Sequence, residues 1–109
     1  METYQQLSQQ RAQIVRQIAQ LGPMRMGSVS DHYLPTTRAD GSRYRRGPYP
    51  AYTFKQGGKT RGKHLRDGAQ AELYRRQIEA FRRYQQLAAQ LVQVSQQLAD
   101  LEAATAGGG

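Results

Sequence analysis

Apolar residues return every three or four positions at both ends of the chain and lose that rhythm in the middle, which predicts two helices flanking a segment of another kind. In the first stretch Tyr4, Leu7, Ile14, Ile18 and Leu21 fall on one narrow stripe, with Arg11 at its polar place. Thr3 followed by Gln6 has the spacing of a capping box, and Gly22-Pro23 stops the stretch, so a helix over 4–21 is expected. A second helix is expected over 69–104, starting at Asp67 or Gly68, with no Gly or Pro inside it. Its residues Tyr84, Leu87, Leu91, Val94, Leu98 and Leu101 alternate steps of three and four, the mark of a coiled-coil seam. Upstream that seam passes through Leu73, Gln77 and Ala80, while Tyr74, Ile78 and Phe81 form a neighbouring stripe facing the central segment.

Between the helices the chain turns to Gly, Pro, Tyr and Arg. Leu34 to Ser42 has turn chemistry and no apolar period, so residues 22–49 are predicted to form a basic loop and extended arm. Ala51-Tyr52-Thr53-Phe54-Lys55 alternates like a strand, Gly57-Gly58 supplies a two-residue turn, and Thr60 to Leu65 returns, giving a β-hairpin over 50–66. That turn places Phe54 opposite Arg61 and Tyr52 opposite Lys63. The expected fold is α+β, mainly α. Two long helices pair as an antiparallel coiled-coil stalk, within one chain or between two, and carry a small central β-hairpin head in a single domain, with 105–109 a frayed tail. A homodimer is the favoured arrangement, because two single stripes bury little surface alone. Its oligomerisation residues are Leu7, Ile14, Ile18, Tyr84, Leu87, Leu91, Val94, Leu98 and Leu101.

Charge sharpens this picture. The 109 residues carry a net charge of +8, yet Gly22 to Arg83 holds 14 Lys and Arg against 5 Asp and Glu, so the ends are nearly neutral. A basic middle on a small chain points to a polyanionic partner, nucleic acid first and an anionic membrane surface second. No stretch approaches the length of a membrane span, and the start lacks the pattern of a signal peptide, so a cytoplasmic protein is expected, nucleoid-associated if it binds DNA. Cysteine is absent, which excludes disulfides and thiol chemistry. His32 and His64 without a compact carboxylate set make no metal site, and Gly57-Gly58-Lys59-Thr60 lacks the earlier glycine of a phosphate-binding loop. No enzyme activity, cofactor or metal is expected.

Three basic clusters are candidates for phosphate contact. The hairpin brings Lys55, Lys59, Arg61, Lys63 and Arg66 together with Tyr52, whose ring stacks on bases or packs with Phe54 beneath the sheet. Arg43, Tyr44, Arg45, Arg46 and Tyr49 lie on the extended arm, where arginines can enter a narrow minor groove. Arg75 and Arg76, repeated seven residues on by Arg82 and Arg83, form a helical stripe that alone reads as an ordinary solvated face.

The elements Gly27-Ser28-Val29, Gly47-Pro48-Tyr49, and Gly57-Gly58-Lys59-Thr60 with a basic strand after it precede a long charged helix carrying Tyr74 to Tyr84. Over roughly residues 25–85 this resembles an uncharacterised family of small prokaryotic proteins often found beside transposases. Members carry a Cys cluster before the Gly-Pro-Tyr element and a His directly ahead of it. Here Leu34 to Arg46 has no Cys and Arg46 stands in place of the His, so no metal-dependent role carries over. The resemblance implies a mobile-element context and a DNA partner. The function expected is that of a DNA-binding accessory or regulatory protein, serving a transposase, recombinase or other nucleic-acid enzyme. RNA satisfies the same arguments, especially as single strands or loops, with DNA the favoured partner. The competing expectation is a coiled-coil interaction adaptor or a ribonucleoprotein subunit.

Overall fold

The computed structural model describes residues 2–107. Along the chain lie α1 (Tyr4–Ala19), β1 (Ser28–Thr37), β2 (Arg43–Gln56), β3 (Lys59–His64) and α2 (Gly68–Gly107), with the strands in one antiparallel sheet of order β1-β2-β3. The fold is α+β and about half helical. The expected tail, 105–109, is helical through Gly107, and its last two residues lie outside the described residues. The chain divides into two compact units, one formed by the residues up to Pro23 and from Ala80 on, the other by Met24–Glu79.

In the helical unit the predicted capping box is present. Thr3 Oγ1 accepts the Gln6 N–H at 3.1 Å while Gln6 Oε1 accepts the Thr3 N–H at 2.9 Å. Leu7 and Ile14 of α1 are buried with Leu87, Val94 and Leu98 of α2, and Ile18, Leu21, Leu91 and Leu101 pack around them. The two segments run in opposite directions: the Tyr4 hydroxyl donates to Glu102 Oε1 at 3.0 Å, whereas Ile14 lies in a groove with Gln90 and Val94. The stripes expected to pair within one chain or between two thus meet within this chain, where the buried residues of α1 and α2 form a single cluster. Tyr84 departs from that set: it is half-buried and its ring faces Phe81, centroids 6.3 Å apart. Upstream the seam does not continue, since Leu73 is 43% exposed.

The sheet unit corrects the central prediction most. Instead of a loop, residues 28–37 form β1 and residues 43–49 the first half of β2, so a three-stranded sheet replaces the lone hairpin. β1 is an edge strand whose residues are nearly all exposed, and pairing of its backbone with β2, not burial of alternate side chains, makes it a strand. The predicted β2–β3 register is found as read, Tyr52 opposite Lys63 and Phe54 opposite Arg61. Gly57 and Gly58 close the turn with φ of 59° and 78°, the left-handed pair of a type I′ hairpin. Buried Tyr52 and Leu65 meet Ala71, Tyr74 and Ile78 on the first turns of α2, with Val29 and Phe54 at the margin. Phe81, expected in this layer, belongs to the helical unit.

Asp67 caps α2. Its Oδ1 accepts the Gln70 N–H at 2.8 Å and its carbonyl accepts the Ala71 N–H at 3.1 Å. That Gln70 N–H, helped by the adjacent Arg66 guanidinium, holds the Asp67 carboxyl below its ordinary 3.8. A lowered pKa in the folded state means the cap stabilises fully above the ordinary value and loses its effect as pH falls through the folded one. Melting followed by circular dichroism is therefore expected to show an acid loss below that value that Asp67→Asn, which keeps the acceptor but not the charge, flattens.

Candidate nucleic-acid interface

Which way each basic side chain of the sheet points is decided by a bulge. His32 pairs with Tyr49 but Leu34 pairs with Arg46, so β2 carries one extra residue at Gly47-Pro48, whose peptide bond is cis. Gly47 sits at φ 141°, and a Cβ there would lie 2.8 Å from the His32 carbonyl oxygen. Side chains alternate along a strand, so one extra residue exchanges the faces of everything beyond it. On the face covered by α2 lie Val29, Tyr52, Phe54, Arg61 and Lys63 and, past the bulge, Arg43 and Arg45; on the open face lie Tyr49, Lys55 and His64 and, past the bulge, Tyr44 and Arg46.

Arg25, absent from the sequence-based candidates, is a structural cation. Its Nε donates to Gln77 Oε1 at 2.9 Å, its N–H donates to the Gln77 carbonyl at 3.0 Å, and its guanidinium lies 4.0 Å from the Tyr74 ring centroid and 5.3 Å from that of Tyr52. Beneath it the Tyr52 ring stands 5.0 Å from both Phe54 and Tyr74, and its hydroxyl donates to the Met26 carbonyl. At 6% exposure Tyr52 is therefore a core residue and offers no surface for base stacking, which corrects its placement among the contact residues. Of the candidate tyrosines, Tyr44 and Tyr49 keep partial exposure.

The cations sort by what they already hold. Arg75 reaches Asp31 of β1 at 3.3 Å and so ties α2 to the sheet, and Arg66 pairs with Asp67 at 3.4 Å. Both pairs are exposed, so they restrain those arginines weakly. Arg76 is exposed on α2, and Lys55, Lys59, Arg61 and Lys63 are exposed around the β2–β3 turn. Arg43, Arg45 and Arg46 are exposed on β2. Two aromatic partners escaped the sequence: Arg45 lies 5.6 Å from the Tyr33 centroid and Arg38 lies 4.5 Å from that of Tyr44. The dipeptide Asp40-Gly41 was the available signal, since Asp-Gly marks hairpin turns. Asp40 is itself engaged: the Ser42 hydroxyl at 2.6 Å and the Ser42 N–H at 2.9 Å hold its carboxyl below the ordinary range.

No family model, curated protein or solved structure matches this chain. The chemistry must therefore be read from the side chains. Among the described residues no cluster of three or more His, Cys, Asp or Glu is placed to hold a metal ion, and no helix is long and apolar enough to cross a membrane. The sheet unit holds 12 Lys and Arg against 5 Asp and Glu, a net +7 of the chain's +8. A surface of that kind attracts phosphates within about a Debye length, a reach that grows as salt is lowered.

Proposed function

We propose that this is a nucleic-acid-binding protein, with DNA the foremost target, that contacts phosphates through its sheet unit and serves an accessory or regulatory role. The observation that carries this reading is the concentration of charge: Lys55, Lys59, Arg61 and Lys63 crowd the exposed β2–β3 hairpin, with Arg43, Arg45 and Arg46 farther along β2. Each phosphate neutralised releases condensed counterions, so affinity falls steeply with salt. The sheet presents these cations, and within the helical unit α1 and α2 pair as an antiparallel coiled coil; the three-and-four spacing of the residues packed in that unit supports this pairing. The mobile-element setting implied by the family resemblance makes a transposase or recombinase the natural enzyme to serve.

The test is fluorescence anisotropy of protein freed of nucleic acid against labelled duplex DNA, single-stranded DNA and RNA at two salt concentrations. Submicromolar binding with a steep salt slope is expected, and Arg45→Glu with Lys63→Glu is expected to abolish it while leaving the helical signal intact. Absence of binding to all three at low salt overturns the proposal in favour of an adaptor.

A further inference from the structure

Resting on the nucleic-acid reading, we infer that the two-stranded ribbon beyond the Gly47-Pro48 bulge is an arm that enters the major groove of duplex DNA, with Arg43 and Arg45 facing the base edges. β3 pairs only with Ala51 to Gln56, so from Leu34–Thr37 and Arg43–Arg46 outward the sheet narrows to two strands. Neither the third strand nor the apolar layer under α2, which ends at Val29, Tyr52 and Phe54, reaches this part. Such a ribbon exposes both faces and has no core to contribute to. It is held by continuity with the sheet and by its turn, where the Arg38 N–H donates to the Ser42 carbonyl at 2.7 Å and the Gly41 N–H to the Arg38 carbonyl at 2.9 Å.

Its chemistry matches a groove lined with acceptors. Residues 33–47 carry Arg38, Arg43, Arg45 and Arg46 against the single acid Asp40, which Ser42 already occupies. Arg45 is held near Tyr33 and Arg38 over Tyr44. A guanidinium lying over a ring keeps its in-plane N–H donors free, and such a fork fits the O6 and N7 acceptors of guanine. Arg43 and Arg45 sit two apart on one strand face, about 6.7 Å at strand rise, which matches two base steps of about 3.4 Å each. Two strands about 4.8 Å apart fit a groove about 12 Å wide. The major groove of an RNA duplex is too narrow and deep for them. Arg46, next to Arg45 and so on the opposite face by strand alternation, is left for a flanking phosphate.

Dimethyl sulfate footprinting of the wild-type protein on duplex DNA tests this, because the reagent methylates guanine N7 in the major groove and adenine N3 in the minor groove. Protection of guanine N7 is expected, together with weaker binding to duplex RNA of the same sequence. Arg43→Ala with Arg45→Ala is expected to lose that protection and at least about tenfold in affinity. Lys59→Ala with Arg61→Ala is expected to weaken binding and lower the salt slope while guanine N7 stays protected. Binding with guanine N7 open, protection at adenine N3 alone, or equal affinity for duplex RNA overturns the groove assignment and leaves the broader reading standing. No binding to any nucleic acid sinks both.

Discussion

Leu87→Ala is expected to lower the stability of the helical unit by about 2–5 kcal/mol, the range for a leucine cut to alanine in a packed interior. Leu87 is 1% exposed and shares its cluster with Leu7, Ile14, Val94 and Leu98. Because whole domains are stable by only about 5–15 kcal/mol, the variant is expected to be partly unfolded at physiological temperature. Urea denaturation followed by the helical circular dichroism signal measures this. Val92→Ala, on the same helix but largely exposed, is the companion change and is expected to shift stability by less than about 0.5 kcal/mol. Equal small effects from both would mean that the two stripes do not bury each other within a chain.

Gly27→Ala is expected to be comparably damaging to the sheet unit. Gly27 has φ 121°, a conformation that side chains with a Cβ rarely adopt, and a Cβ added there would stand 2.4 Å from the Thr53 carbonyl oxygen and 2.6 Å from Tyr52 Cε1. Neither neighbour yields easily. Thr53 pairs with Ser28 through the backbone and Tyr52 is fixed by Tyr74, Phe54 and its bond to the Met26 carbonyl. Backbone strain of about 1–3 kcal/mol and overpacking of about 1–3 kcal/mol together put the loss at about 2–6 kcal/mol. Amide exchange along β2 reports it, with faster exchange at Tyr52 and Thr53 expected before any change in the helical unit. Gly62→Ala is the contrast, because nothing lies within 4 Å of a Cβ there and its φ is ordinary. If both alanines behave alike, close approach at Gly27 is not what fixes the segment.

These two sites also divide what a linear sequence shows from what it hides. Leu87 is visible in the sequence because a three-and-four rhythm is a local property, repeated within a few turns of one helix. The capping box at Thr3 and Gln6 and the Gly57-Gly58 turn are visible for the same reason, and the register of β2 against β3 follows from the turn that joins them. Gly27 carries no local sign of its role, since what crowds it arrives from Tyr52 and Thr53, some 25 residues on. Arg25 likewise meets Gln77 across 52 positions.

The sequence by itself determined the two helices, the apolar stripe on each, the β2–β3 hairpin and the confinement of positive charge to the middle, all set by periods, caps and composition that act over short range. Tertiary structure alone decided that β1 exists, because an edge strand with few buried side chains is defined by the backbone it pairs with. It alone decided that Tyr52 is core, since Arg25 from the segment before β1 and Tyr74 from α2 close on its ring beside Phe54. It also decided which arginines share a face, because one extra residue at Gly47-Pro48 reverses the alternation of every side chain beyond it.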